Sequence, residues 1–418
     1  MGYCLPKDGT KAFEWYRKAA DQGYAIGQIN LGFCYYKGEA VAQDYTKAAV
    51  EWWTKAASQG NAVAQCSLGI RYFKGEGVAQ DYAKAVEWYT RAANQGNAAA
   101  QCSLGIRYYK GEGVAQDYAK AVEWFTKAAI QGDANAQDWL GDCYRDGKGV
   151  TQDYTKAAEC YTKAANQGNA NAQFSLGNCY YNGEGVIQNY AKAVEWWTKA
   201  VSQGNAAAQC SLGSCFYDGQ GVAQNYTKAV ECYTKAASQG NANAQFSLGN
   251  CYYNGEGVIQ NYAKAVEWWT KAASQGNAVA QCSLGIRYEN GEGAAQNYTK
   301  AVEWFTKAAH QGDLNAQNWV GICYENGHGV TQDYSKAVEW FTKAANQGDA
   351  DAQNQLGERY YYGKGVTQNY TKAVEWFTKA ASQGNANAQF SLGIRYFKGE
   401  GVTQNYSKAV EWFTKAAI

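Results

Sequence analysis

Apolar and polar positions recur along this chain with a fixed period. The dipeptide Gln-Gly marks the period: after a first interval of 37 residues, each Gln-Gly follows the previous one by 36 residues. Because such self-similarity is the signature of a repeat architecture, it decides the fold before any single residue does. The dipeptides begin at Gln22, Gln59, Gln95, Gln131, Gln167, Gln203, Gln239, Gln275, Gln311, Gln347 and Gln383.

Two helices are predicted in each repeat, and residues 61–96 serve as the type repeat, with positions counted from Asn61 as zero. Positions 0 and 20 are Asn or Asp almost throughout, and each precedes an Ala-rich segment. Asn and Asp accept hydrogen bonds from the first free amides of a helix, and Gly favours the left-handed conformation that ends one. Gly stands at positions 14 and 35. The pattern therefore predicts helix A over Ala62–Lys74 and helix B over Tyr82–Asn94.

Helical spacing divides each helix into a core face and an outer face. On helix A the nearly invariant positions 3, 4, 7, 8 and 11 are expected to form the core. Gly at position 8 predicts a close helix approach, because Gly inside a helix costs ~1 kcal/mol relative to Ala. The opposite face holds positions 2, 5, 6, 9 and 13. The residues expected in the core are Ala64, Gln65, Leu68, Gly69 and Tyr72 of helix A and Tyr82, Ala85, Tyr89 and Ala92 of helix B.

A single hairpin of this size cannot bury its apolar face, whereas stacked hairpins share a continuous core. The predicted fold class is all-α, a right-handed α-solenoid (superhelix) of about eleven 36-residue helix-turn-helix repeats plus an N-terminal half repeat. Residues 1–23 form the half repeat, a single helix B, and residues 24–418 form eleven tandem repeats in one solenoid domain. One extra residue falls in the first repeat near residue 48.

Charge and hydropathy narrow the function classes. The 38 Lys and Arg residues balance 37 Asp and Glu residues, which argues against a nucleic-acid or membrane-surface partner. No apolar run approaches the ~20 residues of a membrane span. The N-terminus lacks the apolar core of a signal peptide, so we expect a cytoplasmic protein, or a secreted or periplasmic one if the N-terminus is truncated.

The spacing that recurs between the repeats resembles that of the Sel-1-like repeat, a relative of the tetratricopeptide repeat, over essentially the whole chain. The resemblance implies an adaptor or scaffold that binds a protein or extended peptide along the concave groove lined by helix A. The residues that carry it in the type repeat are Ala64, Leu68, Gly69, Tyr72, Gly75, Gly77, Val78, Asp81, Lys84, Ala85, Trp88, Tyr89, Ala92, Ala93 and Gly96. Departures include Ala40 in place of the second loop Gly and Val320 in place of Leu.

The thirteen cysteines occupy positions 5, 10 and 27, apart from Cys4. Only Cys143 with Cys160, and Cys215 with Cys232, could pair within a repeat, and position 27 lies about a turn beyond the reach of position 10. We therefore expect free thiols and a reducing compartment. With two histidines, His310 and His328, and no C-x-x-C, no metal site and no cofactor are expected.

Catalysis is not expected either. The sequence contains no nucleophile elbow and no zinc-protease motif. An active site is one asymmetric constellation, whereas residues 169–200 and 241–272 of this chain are identical.

Variation between repeats on helix A marks the candidate binding residues. Position 6 is Trp at residues 139 and 319 where most repeats have Ser, and Trp is common at binding hot spots. Drift on an unselected surface remains an alternative, as does packing of each Trp against the next hairpin. The groove candidates are Trp139, Asp142, Asn171, Asn178, Tyr181, Asn250, Tyr253, Trp319 and Tyr362.

Two other functions stay open. Aromatic and amide side chains in the middle repeats are compatible with glycan binding, and the array could also be a purely structural or self-assembling element. Neither end of the chain carries a polar cap, since the last helix contains Val410, Trp412 and Phe413. We therefore expect head-to-tail self-association through the uncapped ends.

Overall fold

A computed structural model describes residues 9–417, and at residue 49 its backbone alone. All regular structure within this range is helical. The A helices are α2 (Ala25–Lys37), α4 (Ala62–Lys74), α6 (Ala98–Lys110), α8 (Ala134–Asp146), α10 (Ala170–Asn182), α12 (Ala206–Asp218), α14 (Ala242–Asn254), α16 (Ala278–Asn290), α18 (Leu314–Asn326), α20 (Ala350–Tyr362) and α22 (Ala386–Lys398).

The B helices alternate with them, so the predicted all-α solenoid of repeating helix pairs is confirmed. In the type repeat both helices begin and end at the predicted residues. The B helices are α1 (Gly9–Asp21), α3 (Thr54–Ser58), α5 (Tyr82–Asn94), α7 (Tyr118–Ile130), α9 (Tyr154–Asn166), α11 (Tyr190–Ser202), α13 (Tyr226–Ser238), α15 (Tyr262–Ser274), α17 (Tyr298–His310), α19 (Tyr334–Asn346), α21 (Tyr370–Ser382) and α23 (Tyr406–Ala416).

The extra residue of the first repeat is absorbed in a π-helix. Lys47–Trp53 forms i to i+5 hydrogen bonds and continues directly into α3. An inserted residue widens a helical turn in this way without interrupting the helix. The core register of the first repeat is thereby kept, because Trp53 reaches the buried place that Tyr89 holds in the type repeat.

The caps form as the sequence predicts. Asn61 Oδ1 accepts hydrogen bonds from the amides of Val63 and Ala64, at 3.0 and 3.1 Å. Gly75 closes α4 with φ of 72°, in the left-handed region where a side chain is disfavoured. Ala40 occupies a loop-Gly position and has φ of 61°, the one positive φ outside glycine in the described residues.

Two predictions about the faces are wrong. Tyr82 is 41% exposed, and the buried stripe of α5 runs instead through Ala85, Val86, Tyr89 and Ala92. Position 5 of helix A, assigned to the outer face, is buried where it is Cys66 or Cys102. The second error comes from treating helix A as having one neighbour, whereas it packs against helix B of its own repeat and helix B of the preceding one.

Gly at position 8 is a packing requirement. A Cβ built on Gly69 would lie 2.6 Å from Cδ1 of Tyr89, and one on Gly177 would lie 2.4 Å from Cδ1 of Trp197. Gly lowers the helix propensity at this position, but the close approach that it allows buries the large ring of the facing helix.

The recurring Gln residues form a hydrogen-bond relay at each junction, in which Gln65 is the buried member of the type repeat. Gln95 Nε2 donates to Gln65 Oε1 at 2.7 Å, and Gln65 Nε2 donates to the carbonyl of Ala57 in the preceding repeat at 3.2 Å. A buried amide left without partners would cost about 1–3 kcal/mol, so this relay explains why Gln recurs at both positions.

The chain divides into two compact units. The first runs to Ala208 and includes Gln220–Val222, and the second comprises Gln209–Gly219 and the residues from Ala223 onward. Within each unit the same junction repeats. That the repeats form one solenoid domain stays a prediction.

Candidate functional site

Each junction places two side chains of one repeat against helix A of the next repeat. They come from position 12, near the end of helix A, and position 28, in helix B. At the junction before α8 these residues are Tyr109 and Phe125, whose ring centroids lie 5.1 and 5.9 Å from that of Trp139. We call the residues at positions 12 and 28 of a repeat its ring pair. The junctions are otherwise alike, but they differ in which side chain of the next repeat covers the ring pair.

At two junctions, a tryptophan at position 6 covers the position 28 ring. Trp139 stacks on Phe125 with an interplanar angle of 9°, and Trp319 stacks on Phe305 at 5.3 Å with an angle of 2°. Both indoles are half-buried. Each therefore packs against the preceding hairpin, whereas the alternative weighed from the sequence was packing against the next one. Their assignment as ligand-binding residues stays a prediction.

At four other junctions, a buried or half-buried arginine at position 10 covers the position 12 ring. The guanidinium carbon of Arg71 lies 4.2 Å from the Tyr36 ring centroid, and that of Arg395 lies 3.7 Å from Tyr361. Each arginine also pairs with the Glu at position 15 of its own repeat, so the buried charge is compensated. The pairs are Arg71 with Glu76, Arg107 with Glu112, Arg287 with Glu292 and Arg395 with Glu400.

Two ring pairs have neither cover. The first is Tyr181 with Trp197, which is followed by Ser211 at position 6, Cys215 at position 10 and Gln220 at position 15. The second is Tyr217 with Tyr233. The next repeat supplies Ser247 at position 6 and Cys251 at position 10, both too short to reach across the rings. A cavity of about 110 Å³ remains, lined by Tyr217, Tyr233, Ser247 and Asn250. The cavity therefore lies against a ring pair of the kind that an indole or a guanidinium of this chain covers at other junctions.

This junction also keeps the acidic residue that elsewhere pairs with arginine. Glu256, at position 15, accepts hydrogen bonds from the Tyr217 hydroxyl and from Asn254 Nδ2, the latter at 3.1 Å. Within residues 9–417 no Lys or Arg forms an ion pair with it. Burial is the largest cause of the raised pKa of Tyr233, and the hydrogen bond with Ser214 acts against it. The cavity thus lies near a carboxylate that has no cationic partner among the described residues.

Three polar groove candidates, one each on α8, α10 and α14, are held by hydrogen bonds within their own hairpins. Asn178 and Asn250 each accept a hydrogen bond from the indole of the facing helix B, Trp197 at 3.2 Å and Trp269 at 3.0 Å. Asp142 Oδ1 accepts from the Tyr161 hydroxyl at 2.8 Å. These side chains fix the orientation of buried rings, and each has a further lone pair for a ligand.

The remaining candidates differ in exposure. Tyr181 and Tyr253 are half-buried rim residues, whose rings lie 5.1 Å from those of Tyr190 and Tyr262. Asn171 is exposed and accepts a hydrogen bond from Asn205 Nδ2 at 3.3 Å. Tyr362 is 62% exposed and contacts the ring of Tyr361.

The sequence-based set thus contains one residue of the open cavity, Asn250, and omits Tyr217, Tyr233 and Ser247. A signal for them exists in the sequence. Glu stands at position 15 of residues 241–276 while position 10 is Cys251, so the repeat has the acid of the arginine-type junction without the arginine. Positions 10 and 15 compared together, with position 12 of the preceding repeat, would have found the site, because Cys179 and Glu184 show the same pair but face Arg145.

A buried acid on α8 was also missed. Asp138 is buried at position 5, and its Oδ1 has no hydrogen-bond partner within residues 9–417. Burial, with the neighbouring charge of Asp142 as a smaller cause, raises the pKa of Asp138 to about 7. The same burial raises the pKa of Asp142.

A group of metal ligands, a disulfide bond or a membrane-spanning helix would each indicate another kind of site. Residues 9–417 contain no group of three or more His, Cys, Asp or Glu side chains placed to hold a metal ion. All twelve cysteines in this range are free thiols, and nine of them are buried. No helix in the described part is long and apolar enough to cross a membrane.

Comparisons with known proteins agree with this architecture. A protective antigen with an SLR fold from uropathogenic Escherichia coli is 41% identical, with a TM-score of 0.77 over 97% of this chain and 86% of that chain. A Sel1 repeat protein from Oxalobacter formigenes is 33% identical, with a TM-score of 0.55 over 58% of this chain and 96% of that chain. The curated proteins provide no match.

The Sel1 repeat family model matches the chain from end to end. Its twelve matches cover residues 1–24, 25–61, 62–97, 98–133, 134–169, 170–205, 206–241, 242–277, 278–313, 314–349, 350–385 and 386–418. The first of them corresponds to the half repeat inferred from the sequence. The chain belongs to the Sel1 repeat family.

Proposed function

We propose that this chain is a scaffold that binds a protein or an extended peptide along the A helices. Sel1-repeat proteins are generally protein-interaction scaffolds. The observation that carries the proposal is that variation between otherwise repetitive units concentrates on helix A. There it leaves exposed polar and aromatic groups such as Asn171 and Tyr362. Exposed tyrosine and amide side chains suit peptide recognition.

A non-catalytic role follows from the same features. On α8, for example, Asp142 is paired with Arg145 at 3.0 Å and Asp138 is buried. Neither arrangement presents an acid, a base and a nucleophile to one bound substrate. We therefore propose binding without chemistry.

Selection of peptides from a displayed library against the full chain tests the proposal. The affinity of a selected peptide should fall about tenfold or more when Asn171 and Tyr362 are both changed to Ala, because exposed residues can be truncated without opening the core. The matched control changes Ile187 and Ile259 to Ala, since both are 91% exposed and lie in the turns. Equal affinity of the two double variants would contradict the proposal. Selection of glycans but no peptides from parallel arrays would favour the glycan alternative.

We also propose that the exposed apolar face of the last two helices supports self-association. Val410 is 63% exposed, and Phe390 and Phe413 line a 330 Å³ depression beside it. Light scattering over a dilution series should show a mass that rises with concentration in the wild type and not in Val410→Glu. A mass that stays that of a monomer at all concentrations would refute this proposal.

We also propose that this protein works in a reducing compartment, such as the cytoplasm, because its cysteines among residues 9–417 are free thiols. Burial raises the pKa of Cys66 to about 11, so this thiol is unreactive in the folded state. Titration of the denatured protein without reductant should find close to the thirteen thiols of the sequence. A count of about nine or fewer would mean at least two bridges and would overturn the proposal.

A further inference from the structure

We propose that the cavity between Tyr217 and Tyr233 is a socket for one arginine side chain of the bound peptide. The inference rests on the scaffold function proposed above and names the group that one of its junctions would recognise. It is drawn from residues 209–219 and 223–276, which belong to one compact unit.

The chain itself shows which group fits this place. Four of its junctions put an arginine over the position 12 ring, at 3.7 to 4.5 Å from the guanidinium carbon to the ring centroid. Two of these guanidiniums also lie within 6.0 Å of the position 28 indole, Arg71 near Trp53 and Arg287 near Trp269. Tyr217 and Tyr233 offer the same two rings, with Cys251 where the arginine would be.

Charge favours a cation here over an aromatic group. At all four junctions where an arginine covers a ring, position 15 is Glu, whereas at the two tryptophan junctions it is Lys148 or His328. A fifth arginine, Arg359, faces Glu325 instead of a ring, and position 15 of its repeat is Lys364. Of the two open junctions, the one at Tyr217 and Tyr233 has Glu256 and the one at Tyr181 and Trp197 has Gln220. A carboxylate has about four lone-pair sites, and the bonds from Tyr217 and Asn254 use two of them. The others can accept the N–H groups of a guanidinium stacked on the tyrosine ring.

The volume of the cavity also favours a guanidinium over an indole. The cavity has a volume of about 110 Å³. An apolar protein cavity of roughly 150 Å³ holds one benzene molecule. The space therefore suits a guanidinium, which is smaller than a benzene ring, and it would have to widen for an indole. Lysine fits less well, because its ammonium neither stacks on a ring nor offers a planar fork of donors.

The probe for this socket is N-acetylarginine amide labelled with ¹³C at Cζ, observed by NMR line broadening with the full chain. Its neutral isostere, N-acetylcitrulline amide, should show no broadening. Changing Glu256 to Gln should weaken binding of the arginine probe about tenfold, because a charged acceptor becomes a neutral one. The variant keeps the local fold, since Gln220 holds the same position in the preceding repeat and accepts the same hydrogen bond from Tyr181.

Residues 169–200 provide a matched control, because their sequence is identical to that of residues 241–272. Glu184 corresponds to Glu256, but the position 12 residue facing that repeat is Arg145 instead of a tyrosine. Glu184→Gln should therefore leave probe binding unchanged. Equal losses in the two variants, no loss in Glu256→Gln, or broadening of N-acetyltryptophan amide in place of the arginine probe would each overturn the socket.

A second variant tests the socket by filling it. Cys251→Arg supplies the residue that Arg395 provides in a repeat with the same Phe at position 5, and it should abolish probe binding while raising the Tm. Cys179→Arg would face Arg145 and should lower the Tm. Unchanged probe binding to a folded Cys251→Arg would contradict the proposal. If that variant does not fold, the Glu256→Gln and Glu184→Gln pair decides.

These results separate the socket from the scaffold function. Selected peptides that bind the wild type and Glu256→Gln equally would remove the socket and leave the scaffold function standing. Binding of the arginine probe when no peptide can be selected would support the socket and contradict the scaffold function.

Discussion

The indole of Trp139 lies parallel to the ring of Phe125, with the ring centroids 5.9 Å apart. Phe125 is fully buried in the preceding repeat, so the stacked pair connects two hairpins. Trp139, which the sequence predicts to be a binding hot spot, therefore also stabilises the packing between two repeats. Its effect on partner binding has to be measured separately from its effect on stability.

Replacing Trp139 by Ala should lower the free energy of unfolding by about 2–3 kcal/mol. Removal of a fully buried Trp costs about 3–5 kcal/mol, and this indole is only half-buried. Urea titration followed by circular dichroism measures the change, and Trp139→Phe, which keeps a stacked ring, should recover part of it. A loss below about 0.5 kcal/mol in the Ala variant would show that the stacking is incidental.

Gly177→Leu should destabilise the protein by a few kcal/mol, because even a Cβ at residue 177 would lie 2.4 Å from the Trp197 ring. Gly177→Ala should already cost stability, although Ala is the better helix former. Asn171→Ala on the exposed side of the same helix serves as the control and should stay within about 0.5 kcal/mol of the wild type. Thermal unfolding of the three variants ranks them, and a stable Leu variant would mean that α10 and α11 are not packed as described.

Ala40→Gly should stabilise the protein by about 0.5–1 kcal/mol. Ala40 has φ of 61°, and the left-handed conformation costs an L-residue roughly 1–2 kcal/mol, which Gly avoids in exchange for a smaller entropic cost. The reverse change, Gly77→Ala at the corresponding loop position, should destabilise strongly, since its Cβ would collide with the carbonyl of Tyr45. Opposite shifts in Tm are expected, and a lower Tm for Ala40→Gly would contradict the assigned backbone.

Periodicity was sufficient for the fold, because caps, turns and core positions depend on neighbours within about one repeat. Asn61, Gly75 and Gly69 all do in the structure what their positions predict. The candidate site was harder to predict, because the cover of a ring pair comes from a residue of the following repeat. Whether Tyr217 is covered depends on residues 247 and 251, and neither is unusual by itself.

Acidification should stabilise the junction that contains Asp138. Burial, followed by the charge of Asp142, raises the pKa of Asp138 from its ordinary value of 3.8 to about 7. The folded state therefore holds this proton more tightly than the unfolded state does. Its contribution to stability is fully present below about pH 4 and is lost as the pH rises through about 7.

The change Asp138→Asn isolates this effect, since the amide keeps the shape of the protonated acid and cannot ionise. The Tm of the wild type relative to that of the variant should fall between pH 5 and pH 8, and the variant should be the more stable protein at pH 8. Asp146→Asn is the control, because the side-chain hydrogen bond from Arg145 lowers the pKa of Asp146 and leaves it charged across this range. Differences in Tm that do not change with pH would show that Asp138 ionises normally in the folded protein. A pH-dependent difference confined to Asp138 would place the unpaired carboxyl among the determinants of how firmly the third and fourth repeats dock.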